Sequence, residues 1–168
     1  MGVDPIERVL NYLKHHELVL TTAESCTAGR IVALLSEKPG TGCVLESGYV
    51  VYSPEAKQRL LGVRAQTIER CGLTSEEVAR EMVAGALNDS SANVAIATTG
   101  VAGPEAQGDI APGTVCFAWG FAGHGAPAIF SRTERFFGER QAVLHQATVH
   151  GLVQLMHFHQ RWLQGERA

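Results

Sequence analysis

Hydrophobic and polar positions alternate between helical and strand periods along this 168-residue chain. Ile6, Val9, Leu10 and Leu13 recur at the spacing of one helix face, and Asp4-Pro5 ahead of them reads as an N-cap followed by proline at the first helical position. The apolar run Leu18, Val19, Leu20 predicts a short strand over about 18–22. Ile31, Val32, Leu34 and Leu35 predict a helix over about 26–36, stopped by Pro39-Gly40. CVLESGYVVY predicts a strand over about 44–52, and Ser53-Pro54-Glu55 opens a helix that ends near Gly62. Thr74 followed by Glu77 is a capping box, and the helix it opens runs to about Asn88.

NVAIAT, residues 93–98, is a short apolar run of the kind that forms a buried central strand. A long glycine- and proline-rich loop follows. TVCFAWGF and PAIFSRTERF predict a strand pair around Gly123–Gly125. Gly138 opens a last helix with Leu144, Thr148, Leu152, Leu155 and Trp162 roughly on one face. Strands and helices alternate with no repeat, linker or low-complexity segment. The expected architecture is therefore α/β: a single-domain three-layer α/β/α sandwich over 1–168, with a mixed sheet whose antiparallel part comes from the second half.

Composition narrows the function classes. The chain is 45% hydrophobic and 18% charged with a net charge of -3, so no general nucleic-acid footprint is expected. No apolar run approaches the roughly 18 residues of a membrane span, and MGVDPIERVL lacks the layout of a signal peptide. Cys26, Cys43, Cys71 and Cys116 are far apart without a CxxC pair, which points to reduced thiols in a cytoplasmic protein.

Chemistry concentrates in three loops where strands end and helices begin. TTAESCTAGR sets Glu24, Ser25, Cys26 and Thr27 at an expected helix start. Exposed N–H groups there would favour an alkoxide and a developing oxyanion. The commoner role of Ser25 or Thr27 at such a place is to cap the helix. Cys26 is the rival nucleophile, since a helix N-terminus also lowers a thiol pKa, but residues i and i+1 of a helix do not face one site. In VVYSPEAK, Tyr52 ends a strand and Lys57 lies one turn into a helix. A buried, neutral lysine can deprotonate a serine without a histidine; a solvated lysine is the commoner case. TTGVAGPEAQGD supplies Thr98, Thr99, Gly100 and Gly103, where backbone can approach a ligand closely. It matches neither a Walker A nor a GxGxxG fingerprint.

TAESCTAGR, GYVVYSPEAKQRLLGV, SEEVAREM, TTGVAGP, PGTV and FFGER occur in this order, and with them the chain resembles the CinA C-terminal domain family from about Ile6 to His159. The family is similar to nicotinamide-nucleotide amidohydrolases (PncC). The resemblance implies deamidation of nicotinamide mononucleotide (NMN) to nicotinate mononucleotide and ammonia, without metal or organic cofactor. It makes Ser25 the nucleophile, Lys57 the base and Tyr52 a supporting hydroxyl, with Thr27, Thr99, Gly100, Gly103 and Arg140 on the substrate side. The chain departs from the family at Thr27-Ala28-Gly29, where Thr-Gly-Gly is usual. It also departs at Glu105–Gly113, where a Gly-Gly-rich stretch ending in Lys-Pro-Val-Gly is usual. The second departure bears on substrate binding more than on the nucleophile. A noncatalytic nucleotide-binding or interaction member of the family is therefore the alternative.

The seven histidines lack a compact ligand motif such as HExxH, so solvated or edge-packed roles are expected rather than a metal site. Trp119 and Trp162 read as core or subunit contacts. A homodimer is expected from the family and from the apolar faces of the terminal helices. Neither a nucleic-acid nor a membrane partner is expected.

Overall fold

A computed structural model describes residues 2–168. Helix α1 (Pro5–His15) carries the predicted cap: Asp4 accepts from the Ile6 N–H, and Ile6, Val9, Leu10 and Leu13 face inward. Strand β1 (Leu20–Glu24) leads through a turn to α2 (Arg30–Ser36), and a 3₁₀ turn (Thr41–Cys43) precedes β2 (Leu45–Val50). Three helices follow, α3 (Pro54–Leu61), α4 (Ala65–Cys71) and α5 (Glu76–Asp89). Then come β3 (Val94–Gly100), β4 (Thr114–Phe121), β5 (Ala128–Arg135) and the long α6 (Arg140–Leu163).

The sheet order is β2-β1-β3-β4-β5. β1 runs parallel to both β2 and β3, while β3-β4 and β4-β5 are antiparallel, as the pattern of the second half predicts. Strand periodicity divides the core in two. On one face Leu20, Val94, Ile96, Phe117 and Trp119 pack with α1, α2 and α6. On the other, the small residues Ala23, Ala95, Ala97 and Ala118 pack with α3 and α5. Small residues let α5 lie close to both neighbours: a Cβ on Gly120 of β4 would come within 2.2 Å of the Val83 side chain, and one on Gly85 within 1.9 Å of the Leu61 carbonyl oxygen of α3.

Several elements differ from the sequence reading. Strand β1 lies two residues later than the expected 18–22, which brings Glu24 into the strand. Helix α2 begins at Arg30, not near Cys26, because Ala28 (φ 50) and Gly29 (φ 92) are left-handed and cannot lie inside a right-handed helix. The cap of α5 is Ser75, which accepts from the Val78 N–H, rather than Thr74. Strand β3 extends through Thr99 and Gly100, which pair with Cys116 and Val115 of β4. Helix α4 was not anticipated; its seven residues, AQTIERC, are too few to establish a helical period.

Candidate active site

Because β1 has β2 on one side and β3 on the other, the chain leaves the sheet in opposite directions from the ends of β1 and β3. A crevice opens at that switch point, where open α/β sheets bind ligands. It is a cavity of about 470 Å³, and Ser25, Tyr52, Lys57, Thr99, Gly103 and Arg140 are among its lining residues.

Ser25 continues the alternation of Thr21 and Ala23 toward the α3 face, whereas Glu24 points with Leu20 and Thr22 toward α2. Lys57 comes from the opposite wall. Ser53 caps α3 with its hydroxyl on the Ala56 N–H, and Pro54 starts the helix, so Lys57 is turned inward one turn later. Its side chain is 1% exposed. Nζ lies 2.9 Å from Ser25 Oγ, 2.9 Å from the Val51 carbonyl oxygen and 3.1 Å from that of Tyr52. Burial holds its pKa below the ordinary 10.5, with a smaller opposing effect from Cys26.

The residues around this pair are less uniform than the motif suggests. Cys26 lines the cavity beside Ser25 but is packed among core side chains, and burial pushes its thiol up to about 11. It is therefore a packed thiol rather than a thiolate at neutral pH. Thr27 is fully buried beneath the cavity, its hydroxyl 2.7 Å from Glu24 Oε1 and 2.8 Å from Thr98 Oγ1. Thr99 lines the cavity and donates to the Leu73 carbonyl. Gly100 lies against β4, where a Cβ would approach the Thr114 carbonyl oxygen to 2.5 Å. Gly103 is left-handed at φ 96 and its carbonyl accepts from Arg140 Nη1 at 2.8 Å.

Tyr52 contributes by two routes. Its backbone carbonyl accepts from Lys57, while the residue is 58% exposed at the cavity mouth with its phenol oxygen 3.4 Å from Arg140 Nη2. Arg140, the first residue of α6, thus spans the mouth between Tyr52 and Gly103. Among the described residues no carboxylate pairs with it.

Three of the N–H groups near the expected helix start are already engaged. The Ile31 and Val32 N–H groups of α2 donate to Glu24, and the Ser25 N–H donates to the Thr98 carbonyl. Two wall contributors escaped the sequence reading. Thr74, read there as a cap, lines the cavity instead, and so does Leu73, because α5 starts one residue later. Glu105 and Gln107, from the stretch that departs from the family pattern, also line it.

The family model for the CinA C-terminal domain matches residues 4–159. The chain belongs to this family. It is 40% identical over 148 residues to the nicotinamide-nucleotide amidohydrolase PncC of Escherichia coli, covering 87% of each chain. It is 40% identical over 161 residues to PncC of Pseudomonas putida, covering 91% of this chain and 98% of that one. The structure of the competence damage-inducible protein A from Klebsiella pneumoniae superposes with a TM-score of 0.87 at 34% identity, over 94% of this chain and 96% of the other.

His159 and His150 have structural surroundings. His159 is buried, shares a 2.8 Å hydrogen bond with Tyr12 and packs against His16, Phe121 and Trp162. His150 packs against Phe117, Trp119 and Phe136. Among the described residues, no group of three or more His, Cys, Asp or Glu side chains is arranged to hold a metal ion. No helix among them is long and apolar enough to cross a membrane. Trp119 is fully buried and donates to the Gly151 carbonyl at 2.8 Å, a core role.

Proposed function

We propose that this protein hydrolyses the carboxamide of nicotinamide mononucleotide, with Ser25 as nucleophile and Lys57 as general base. The observation that carries the reading is the 2.9 Å approach of Lys57 Nζ to Ser25 Oγ inside the cavity. A neutral amine has two N–H bonds and one lone pair. With both N–H bonds directed at the Val51 and Tyr52 carbonyls, the lone pair is left for the Ser25 hydroxyl proton.

In this mechanism Lys57 takes the Ser25 proton as Oγ bonds to the carboxamide carbon, giving a tetrahedral intermediate. The resulting ammonium passes its proton to the departing nitrogen. The C–N bond breaks, ammonia leaves and a Ser25 ester remains. Lys57 then deprotonates a water that attacks the ester. Nicotinate mononucleotide is released as Ser25 regains its proton. Arg140, a cation at the mouth held only by neutral oxygens, suits the substrate phosphate. The cavity falls within the range of about 300–1,000 Å³ usual for small-molecule sites. The names of the 40%-identical relatives support this substrate. A cytoplasmic homodimer belongs to the same proposal.

Incubation with NMN should release ammonia and nicotinate mononucleotide in equal amounts. Ser25→Ala should abolish most turnover, while Cys26→Ala should retain much of it. An active Ser25→Ala protein beside an inactive Cys26→Ala protein would reverse the assignment. A wild-type protein that binds NMN without turnover would favour the noncatalytic alternative.

A further inference from the structure

We infer that Glu24 is the positioning residue of this site: its buried carboxylate holds the 25–29 turn in the shape that aims Ser25 Oγ at Lys57. The inference rests on Ser25 being the nucleophile. Glu24 is fully buried and accepts four hydrogen bonds. Oε1 takes the Thr27 hydroxyl at 2.7 Å and the Ile31 N–H at 3.0 Å. Oε2 takes the Thr22 hydroxyl at 3.0 Å and the Val32 N–H at 3.3 Å. One side chain therefore ties together β1, the turn and α2, and Thr27 extends the tie to Thr98 of β3.

A simple helix cap does not require this arrangement. The residue at the N-cap position of α2 is Gly29, which offers no side-chain acceptor, and the acceptor comes instead from the strand end. Serine or aspartate at the cap would satisfy one amide without burying a carboxylate, which is costly unless every lone pair finds a donor. The carboxylate instead stabilises an unfavourable turn, with Ala28 and Gly29 both left-handed. Ser25 lies inside that turn. Its N–H is bound to the Thr98 carbonyl and its carbonyl accepts from the Ala28 N–H, so the turn's shape determines where Oγ points. Lys57 arrives from the other face of the sheet, and the 2.9 Å separation depends on the turn remaining in register.

The test compares wild type, Glu24→Gln and Thr27→Val in two assays. One is NMN turnover. The other is labelling by a small fluorophosphonate, in which Ser25 Oγ forms an O–P bond, fluoride leaves and Lys57 accepts the hydroxyl proton. Rates are normalised to folded protein by circular dichroism. Glutamine keeps the shape but presents an NH₂ where a donor already points. A misplacement near 1 Å costs about 10²-fold, so kcat and labelling should both fall ~10- to 100-fold in Glu24→Gln, with the NMN KM within about threefold. The midpoint of the acid limb of the pH–rate profile should stay close to that of wild type, because Lys57 keeps its burial and the Val51 and Tyr52 carbonyls even where Ser25 Oγ shifts. Thr27→Val should act in the same direction, by ~3- to 10-fold, and decides the question if Glu24→Gln does not fold. Unchanged rates per folded molecule, or a loss confined to KM, would overturn the inference. Wild-type protein that labels but does not deamidate NMN refutes the substrate and leaves the labelling comparison decisive. Wild-type protein that does not label leaves the kcat comparison decisive, and turnover that survives Ser25→Ala removes Ser25 as nucleophile and this role of Glu24 with it.

Discussion

Lys57 Nζ sits 2.9 Å from Ser25 Oγ while two backbone carbonyls occupy its other directions. Burial lowers its pKa, the condition that the proposed role as a neutral base requires. Activity should therefore rise with pH as Lys57 loses its proton, with an acid limb whose midpoint lies below 10.5. Lys57→Met, which fills similar space without a lone pair of useful basicity, should lower kcat by about 10²- to 10⁴-fold. A pH–rate profile of wild type and initial rates of the variant check both statements. Near-normal turnover in Lys57→Met would remove the lysine from the chemistry.

Arg140 reaches Gly103 and Tyr52 but no carboxylate among the described residues. If it binds the NMN phosphate, Arg140→Ala forfeits a charge-assisted hydrogen bond worth about 1.5–3 kcal/mol, roughly 10- to 150-fold in kcat/KM. The loss should be much smaller for nicotinamide riboside, which lacks the phosphate. Equal fractional losses on the two substrates would show that Arg140 does not read the phosphate.

Ala28 is left-handed at φ 50, in the position where the family usually carries glycine. An L-residue there costs about 1–2 kcal/mol, partly offset by the greater chain entropy of an unfolded glycine. Ala28→Gly should therefore raise stability by up to about 1 kcal/mol in urea denaturation. A decrease would mean that the Ala28 methyl contributes packing that outweighs the strain.

His159 makes stability depend on pH. Burial, reinforced by His16, lowers its pKa from 6.5 to about 4. Between these values the unfolded chain binds a proton that the folded chain refuses. Its contribution is thus complete above pH 6.5 and is lost as the pH falls toward 4, in total on the order of 1–3 kcal/mol. His159→Phe, which suits the neighbouring Phe121 and Trp162, should flatten the dependence of ΔG on pH across that window. An equally steep decline in the variant would assign the acid sensitivity to other groups.

Local pattern alone determined the α/β alternation, the α1 and α3 caps and the strand pair of the second half. Each depends on periodicity or on a cap within one turn of chain. The motifs likewise marked Ser25, Lys57 and Arg140 as candidates. The start of α2 was not legible, because Ile31–Leu35 carries a helical period while the left-handed Ala28 is chemically an ordinary helix former. The N-cap of α5 was misplaced by one residue because Thr74 and Ser75 are both good caps. What only the tertiary structure decided is which groups meet. Sheet order brings the ends of β1, β2 and β3 together, so Ser25 faces Lys57 across the crevice and Glu24, one residue earlier, faces the opposite side. A one-residue difference in a strand reverses the direction of a side chain. Which face is the core and which the site depends on packing between elements far apart in the chain, and no local period records it.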